Sequence, residues 1–243
     1  MGKNIIVIGG SKGIGRVFVD RRVKRGDNVY VFARNFQIRN KKEAHFIKSD
    51  LTNQKKYLKK LKELLKKIKK VDAIVFAQRY RGIKNIWKNE RLVSIETLNN
   101  SLKLIDKYMS KKNSSIIVVS SNASTNIAIE QPVSYHMAKA AISQIAKYYA
   151  VKFAKKKIRV NIISPTITLK PENIDFYNSN KIIQKTFSDI IPLGRMAHSD
   201  DICNVIDFLI SNKSSFITGQ TFVVDGGLSL LTPEVLIRSS KGL

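Results

Sequence analysis

Several things are scarce in this chain of 243 residues, and each shortage excludes something. Cys203 is the only cysteine, so no intrachain disulfide exists and a reducing compartment is expected. With 5 Pro and 12 Gly there is too little of either for a collagen-like or linker-rich chain, and 43% hydrophobic residues is too many for a disordered one. No apolar stretch approaches the roughly 20 residues needed to span a bilayer. Met1-Gly2-Lys3-Asn4 runs straight into an apolar strand and leaves no room for a signal peptide, so a soluble, cytoplasmic protein with no membrane partner is expected. His45, His136 and His198 have no ligand spacing and no cysteine beside them, and no metal is expected.

Acidic residues are scarce too: 18 Asp and Glu stand against 44 Lys and Arg, a net charge of +26. Such a field attracts nucleic acid, an anionic membrane surface, or an acidic substrate or carrier protein. The lysines are scattered over every segment, which is equally the pattern of a chain that uses Lys wherever a solvated residue is needed. No helix-turn-helix or zinc finger is visible, so specific nucleic-acid binding is not expected.

What is present is order along the chain. Short β-branched runs at 4–8, 28–32, 44–48, 73–76, 115–119, 159–163 and 221–224 alternate with longer amphipathic stretches. This is the pattern of parallel strands joined by crossover helices, and consecutive apolar residues within the runs suit a sheet covered on both faces. The expected fold is α/β, a single domain over 1–243 with a doubly wound parallel sheet of about seven strands and a tail from about residue 228. The clearest helix is 54–70, where Leu58, Leu61, Leu65 and Ile68 recur at helical spacing among lysines. That basic back is either a docking face or simply solvated.

The first strand ends in Gly9-Gly10-Ser11-Lys12-Gly13-Ile14-Gly15, and a helical stretch follows over 16–24. A glycine-rich turn from strand to helix sets backbone N–H groups and the positive helix end against a phosphate. Gly9 permits the tight turn, Gly13 the close passage of a pyrophosphate and Gly15 the packing of helix on strand. The same spacing also serves a purely structural turn. Beyond the second strand, where an NAD site carries an acidic residue, the chain reads Ala33-Arg34-Asn35. Arg34 and Lys12 together suit a 2′-phosphate, so NADP(H) is preferred over NAD(H).

Tyr135 and Lys139 lie four residues apart at the opening of an apolar helix over 140–153 and share one face. A neighbouring ammonium stabilises a phenolate and lowers its pKa from near 10, so Tyr135 can give a proton to a carbonyl oxygen or take one from an alcohol. The strand 115–119 delivers Ser120 and Ser121 at the sheet end where such folds bind ligands. Taken alone, a Tyr-x-x-x-Lys spacing arises often by chance.

Together these elements resemble the short-chain dehydrogenase/reductase family, and the resemblance runs over nearly the whole chain. Lys48-Ser49-Asp50-Leu51-Thr52 looks like the segment whose Asp contacts adenine, and Ile158 to Pro165 is similar to the strand and proline beside the nicotinamide. Pro192-Leu193-Gly194-Arg195, Ser214 to Gln220 and Val224-Asp225-Gly226-Gly227 match the C-terminal signature of its simple members, among them 3-oxoacyl-acyl-carrier-protein reductases. The resemblance implies a Rossmann domain that transfers hydride reversibly between NADP(H) and a carbonyl or alcohol. It makes Tyr135 the acid/base, Lys139 the residue that lowers its pKa and holds the nicotinamide ribose, and Ser121 the residue that orients the substrate oxygen. Gly9, Ser11, Lys12, Gly13, Ile14, Gly15, Arg34, Asn35, Asp50, Leu51, Ala77, Lys139, Pro165 and Thr168 are the implied cofactor contacts, and a homodimer or homotetramer is the implied assembly.

Four features depart from the family pattern. Ile8 replaces a Thr before the loop. The interval from Ser121 to Tyr135 is one residue long, so a strict count lands on Asn122. Thr166-Ile167-Thr168 follows Pro165 where Gly is usual. Phe76-Ala77-Gln78-Arg79 stands where Asn-Asn-Ala-Gly is usual, and the helical Asn of the family is not evident: Asn99 and Asn100 are out of register, and Ser94 is nearest its place. Arg79 and Arg81 either clamp an anionic substrate or form an exposed basic loop. The polar segment 171–191 is expected to cover the substrate. A 3-oxoacyl thioester on an acidic carrier would use the basic surface, and a small polar or anionic ketone would use Arg79 and Arg81. The alternative from another class is a catalytically silent protein of the same fold that binds nucleic acid or another polyanion.

Overall fold

The structure, a computed structural model, describes residues 2–35, 44–110 and 114–241, with the side chains of 239–241 left aside. β1 (Asn4–Ile8), β2 (Asn28–Ala33), β3 (His45–Lys48), β4 (Ala73–Phe76), β5 (Ser114–Val119), β6 (Ile158–Pro165) and β9 (Thr221–Val224) form one sheet in the order β3-β2-β1-β4-β5-β6-β9. Every pairing is parallel, as in Ile5 to Val29 on one side of β1 and Ile5 to Ala73 on the other. Two residues, Thr168–Leu169 (β7), pair with Ala197–His198 (β8) outside this sheet.

The strand pleat explains how the sheet is covered. Successive side chains point to opposite faces, so Ile6 and Ile8 join one core while Ile5 and Val7 join the other. The first core packs under α2 (Gln54–Ile68), α4 (Thr97–Ile105) and α5 (Val133–Ala154) through Leu61, Leu65, Leu98, Ile142 and Phe153. The second packs under α1 (Gly13–Lys24) and α8 (Ser199–Leu209) through Phe18, Val19, Ile202 and Ile206. Each of these buried side chains contributes on the order of 1.5–3 kcal/mol.

Local chemistry sets the helix ends. The Asn53 side chain accepts from the Lys56 N–H at 3.0 Å and caps α2, which stops at Ile68 because Lys69 turns left-handed at φ 57°, two residues before the expected end. α5 starts at Val133, directly after Pro132 and two residues ahead of Tyr135, so Tyr135 and Lys139 lie within it one turn apart. A near-continuous helical stretch runs through α3 (Ile86–Glu90), a π-helical turn (Arg91–Glu96) and α4. α6 (Ile174–Ser179) and α7 (Lys181–Ile190) cover a small apolar cluster of Leu169, Ile191 and Met196, with Tyr177 and Phe187 against it. α9 (Pro233–Lys241) follows at the end. Among the described residues no helix is long and apolar enough to cross a membrane.

Candidate active site

The chain leaves β1 toward β2 on one side and returns beside β1 as β4 on the other, so a crevice opens at the strand ends where the order reverses. It encloses about 870 Å³ and is lined by Gly9, Ser11, Lys12 and Gly13, then Arg34, Asn35, Asp50 and Leu51, then Ala77, Arg79 and Arg81. A smaller recess of about 90 Å³ adjoins it and is lined by Ile14, Gly15, Ser121, Tyr135, Lys139, Pro165, Thr168 and Lys170. The fold thus brings each predicted cofactor contact, Ser121, Tyr135, Lys139, Arg79 and Arg81 to one of these two adjoining spaces, while Ser94, Asn99, Asn100 and Asn122 line neither.

The glycine turn is built for close approach. Gly9 has φ 88°, and a Cβ there would meet the Gln78 backbone at 2.5 Å; at Gly15 it would meet the Gly9 carbonyl oxygen at 2.5 Å. Neither position tolerates a side chain. Gly13, at the N-terminus of α1, donates its N–H to the Glu172 carboxylate at 2.9 Å, and Arg81 holds the same carboxylate at 3.1 Å. A carboxylate already seated on this N–H shows that the turn accepts an anionic oxygen, so the donor set fits a dinucleotide's phosphates. Lys12 and Arg34 are exposed at this end. The Asp50 carboxylate accepts from the Thr52 N–H and hydroxyl at 2.9 and 2.8 Å, which fixes its turn.

At the other end Lys139 is buried, Lys170 half-buried and Arg79 exposed. Lys139 is 3% exposed, donates to the Val119 carbonyl at 3.0 Å, and sits 5.5 Å from the centre of the Tyr135 ring. The Arg79 guanidinium stacks on the same ring at 4.6 Å and is steadied by Gln131 at 2.6 Å. Burial opposes ionisation of the Tyr135 phenol. The Lys139 ammonium, the Ser121 hydroxyl bonded to it, Arg79 and Lys170 outweigh that burial and hold the phenol below its ordinary value of 10. Burial pushes Lys139 down, and Tyr135 and Glu90 pull it back up. An acidic phenol beside a hydroxyl donor can exchange a proton with an oxygen bound in the recess.

Ser121, rather than Asn122, acts on the Tyr135 phenol, and its hydroxyl donates to the Asn122 side-chain oxygen at 3.1 Å; Ser120 instead donates to the Lys139 carbonyl at 3.1 Å and ties β5 to α5. Asn99 accepts from the Tyr149 hydroxyl at 3.2 Å and Asn100 donates to Gln54 at 3.3 Å, so both are taken up away from the recess. His136 accepts the Ala128 N–H at 2.9 Å and braces the loop ahead of α5. The Thr168 hydroxyl donates to the Thr166 carbonyl at 2.8 Å. Burial pushes the Cys203 thiol up to about 12, so it is inert packing.

Sequence reading missed Lys170, Glu172 and Glu90. Lys170 and Glu172 lie in a loop whose path has no local code. Glu90 sits in Lys88-Asn89-Glu90-Arg91, which reads as a solvated face, yet it is 3% exposed, and Ser94, fully buried, donates to it at 2.5 Å. The available signal was its helical spacing with Ile86, Val93 and Thr97.

The family model described as Enoyl-(Acyl carrier protein) reductase matches residues 9–229. The 3-oxoacyl-[acyl-carrier-protein] reductase FabG of Chlamydia pneumoniae is 27% identical over 94% of this chain and 98% of its own. A solved short chain dehydrogenase of Leptospira borgpetersenii with bound NAD+ is 25% identical, with a TM-score of 0.78 over 94% of this chain and 93% of that one. The structure of ElxO with NADP bound, 22% identical, shares the fold with a TM-score of 0.81 over 95% and 100%. The chain belongs to the short-chain dehydrogenase/reductase family of NAD(P)-dependent oxidoreductases.

Proposed function

We propose that this short-chain dehydrogenase/reductase uses NADP(H) to interconvert a carbonyl and an alcohol, with Tyr135 as the group that moves the proton. The observation that carries the reading is the Tyr135 phenol, bonded by Ser121 and flanked by Lys139 and Arg79, in a recess beside the glycine turn. The dinucleotide supplies the hydride when bound. Gly9, Gly13, Ile14 and Gly15 would hold its phosphates, Lys12 and Arg34 a 2′-phosphate, Asn35, Asp50, Leu51 and Ala77 its adenosine, and Lys139, Pro165 and Thr168 the nicotinamide end.

Within the recess, Ser121 orients the substrate oxygen and Tyr135 passes its hydroxyl proton to it in reduction, or accepts one in oxidation. Lys139 keeps the resulting phenolate from being costly. Arg79 and Lys170 bring two further cations to this recess, which favours a ketone bearing a carboxylate or phosphate near the reacting carbon. The name of the 27%-identical chlamydial relative and the net charge of +26 support a second substrate reading, a 3-oxoacyl thioester on an acidic carrier. Exposed Tyr148 and Val151 on α5 support a homo-oligomer, and we place the protein in the cytoplasm as one dinucleotide-binding domain.

The test is NADPH consumption with paired anionic and neutral ketones and a 3-oxoacyl thioester. Tyr135→Phe is expected to cut kcat about 10²- to 10⁴-fold while leaving NADPH binding intact. Undiminished turnover in that variant would overturn the assignment of Tyr135.

A further inference from the structure

Glu90 closes α3 just before the π-helical turn, in a stretch whose other charged residues, Lys88 and Arg91, face solvent. Its side chain is buried, and a buried carboxylate persists only where donors and cations meet it. The Ser94 hydroxyl, four residues on and fully buried, donates to it at 2.5 Å, and the Tyr80 backbone N–H donates as well. The π-helical turn carries Ser94 and packs on α5, the helix of Tyr135 and Lys139. Two cations face the carboxylate: Lys139 from α5 and Arg79 from the loop after β4. Lys139 is itself faced by Tyr135, Glu90 and Arg79, so among the described residues Glu90 is the carboxylate acting on that buried ammonium. Glu90 and Lys139 act on each other as charges through a low-dielectric interior.

We propose that Glu90, buried and held by Ser94 in the turn that packs on α5, is the positioning carboxylate of the Tyr135–Lys139 pair, its charge steadying the Lys139 ammonium beside the Tyr135 phenol. This rests on the reading of Tyr135 as the proton-moving group. The direction of each link follows from the neighbours. Glu90 offsets the burial and the Arg79 charge that drive Lys139 toward the neutral amine. Glu90 is not among the groups acting on Tyr135, whose largest charge partner is Lys139, so its influence on the phenol passes through the lysine. Burial raises the Glu90 pKa against the bonds from Ser94 and Tyr80 and the charges of Lys139 and Arg79, so acid neutralises this carboxylate earlier than a solvated one.

The test needs neither cofactor nor substrate. Ultraviolet titration of tyrosinate in the full chain, minus the same titration of Tyr135→Phe, isolates this phenol from the other tyrosines. Glu90→Gln keeps shape and removes charge, and is expected to raise the Tyr135 midpoint by about one pH unit, with Tyr135→Phe again subtracted in that background. Glu90→Asp is expected to return the midpoint toward the parent value, and Ser94→Ala to raise it by a smaller amount. A midpoint that stays put or falls in Glu90→Gln overturns the proposal, a fall meaning that Glu90 acts on the phenol directly as a like charge. If Glu90→Gln does not fold, as judged by thermal unfolding, Ser94→Ala decides by the same criterion. Failure of the parent reading appears separately, as Tyr135→Phe that turns over ketones at the parent rate.

Discussion

The two ends of the crevice use the same residue types under opposite conditions. At the open end Lys12 and Arg34 stand exposed, where water and salt screen each charge and each acts on its own. At the closed end Lys139 and Glu90 are 3% exposed and the Tyr135 phenol lies between Lys139 and Arg79. There, charges are felt strongly and cannot be altered one at a time. The lesson is that a basic chain does not make every basic residue alike: buried Lys139 is felt by its neighbours far more strongly than exposed Lys12 or Arg34.

Substitutions at the two ends break or sharpen this contrast. The largest effect is expected for Lys139→Met, which removes the strongest charge partner of Tyr135. Alcohol oxidation needs the phenolate, so its rate rises as pH climbs through the Tyr135 pKa, which lies below 10. Without the ammonium that pKa moves up, so the rise shifts to higher pH and kcat at neutral pH falls by about 10²-fold or more. A pH–rate profile checks this, and an unshifted profile would mean that the two ends differ less than their burial suggests.

A middling effect is expected at the open end. Lys12→Ala combined with Arg34→Ala should weaken NADPH binding about tenfold, roughly 1.4 kcal/mol, and leave NADH within a factor of about two. Equilibrium titration with both dinucleotides measures it, and the loss should shrink with added salt as an exposed contact requires. Equal losses for both dinucleotides would remove the preference for NADP(H).

The smallest effect concerns the residue that joins the ends. Glu172 holds the Gly13 N–H at 2.9 Å and Arg81 at 3.1 Å, the place proposed above for a phosphate. Glu172→Gln weakens that internal competitor, and NADPH should bind about threefold more tightly by the same titration. Weaker binding would instead make Glu172 part of the grip on the dinucleotide.

Much of this was legible in the chain itself. All seven strands of the large sheet fall within a few residues of their β-branched runs, because pleat and hydrophobic burial act on neighbours in sequence. The glycine turn was legible because no other residue fits at Gly9 and Gly15, and the Tyr135–Lys139 pair because four residues make a helical turn. α5 begins two residues ahead of Tyr135, the residue that opens the helical pattern in the sequence. Glu90 was hidden by its charged neighbours, which share the exposed side of the same short helix.

Local spacing therefore determined the order of strands and helices, the glycine turn and the pairing of Tyr135 with Lys139 on one helix face, all properties that the backbone imposes over a few residues. Tertiary structure alone decided that Arg79 stacks on Tyr135, that Glu90 faces Lys139 from another helix, and that Glu172 crosses 159 residues to meet Gly13. Electrostatic coupling depends on distance and burial, and both exist only once the crossovers have brought separate segments together.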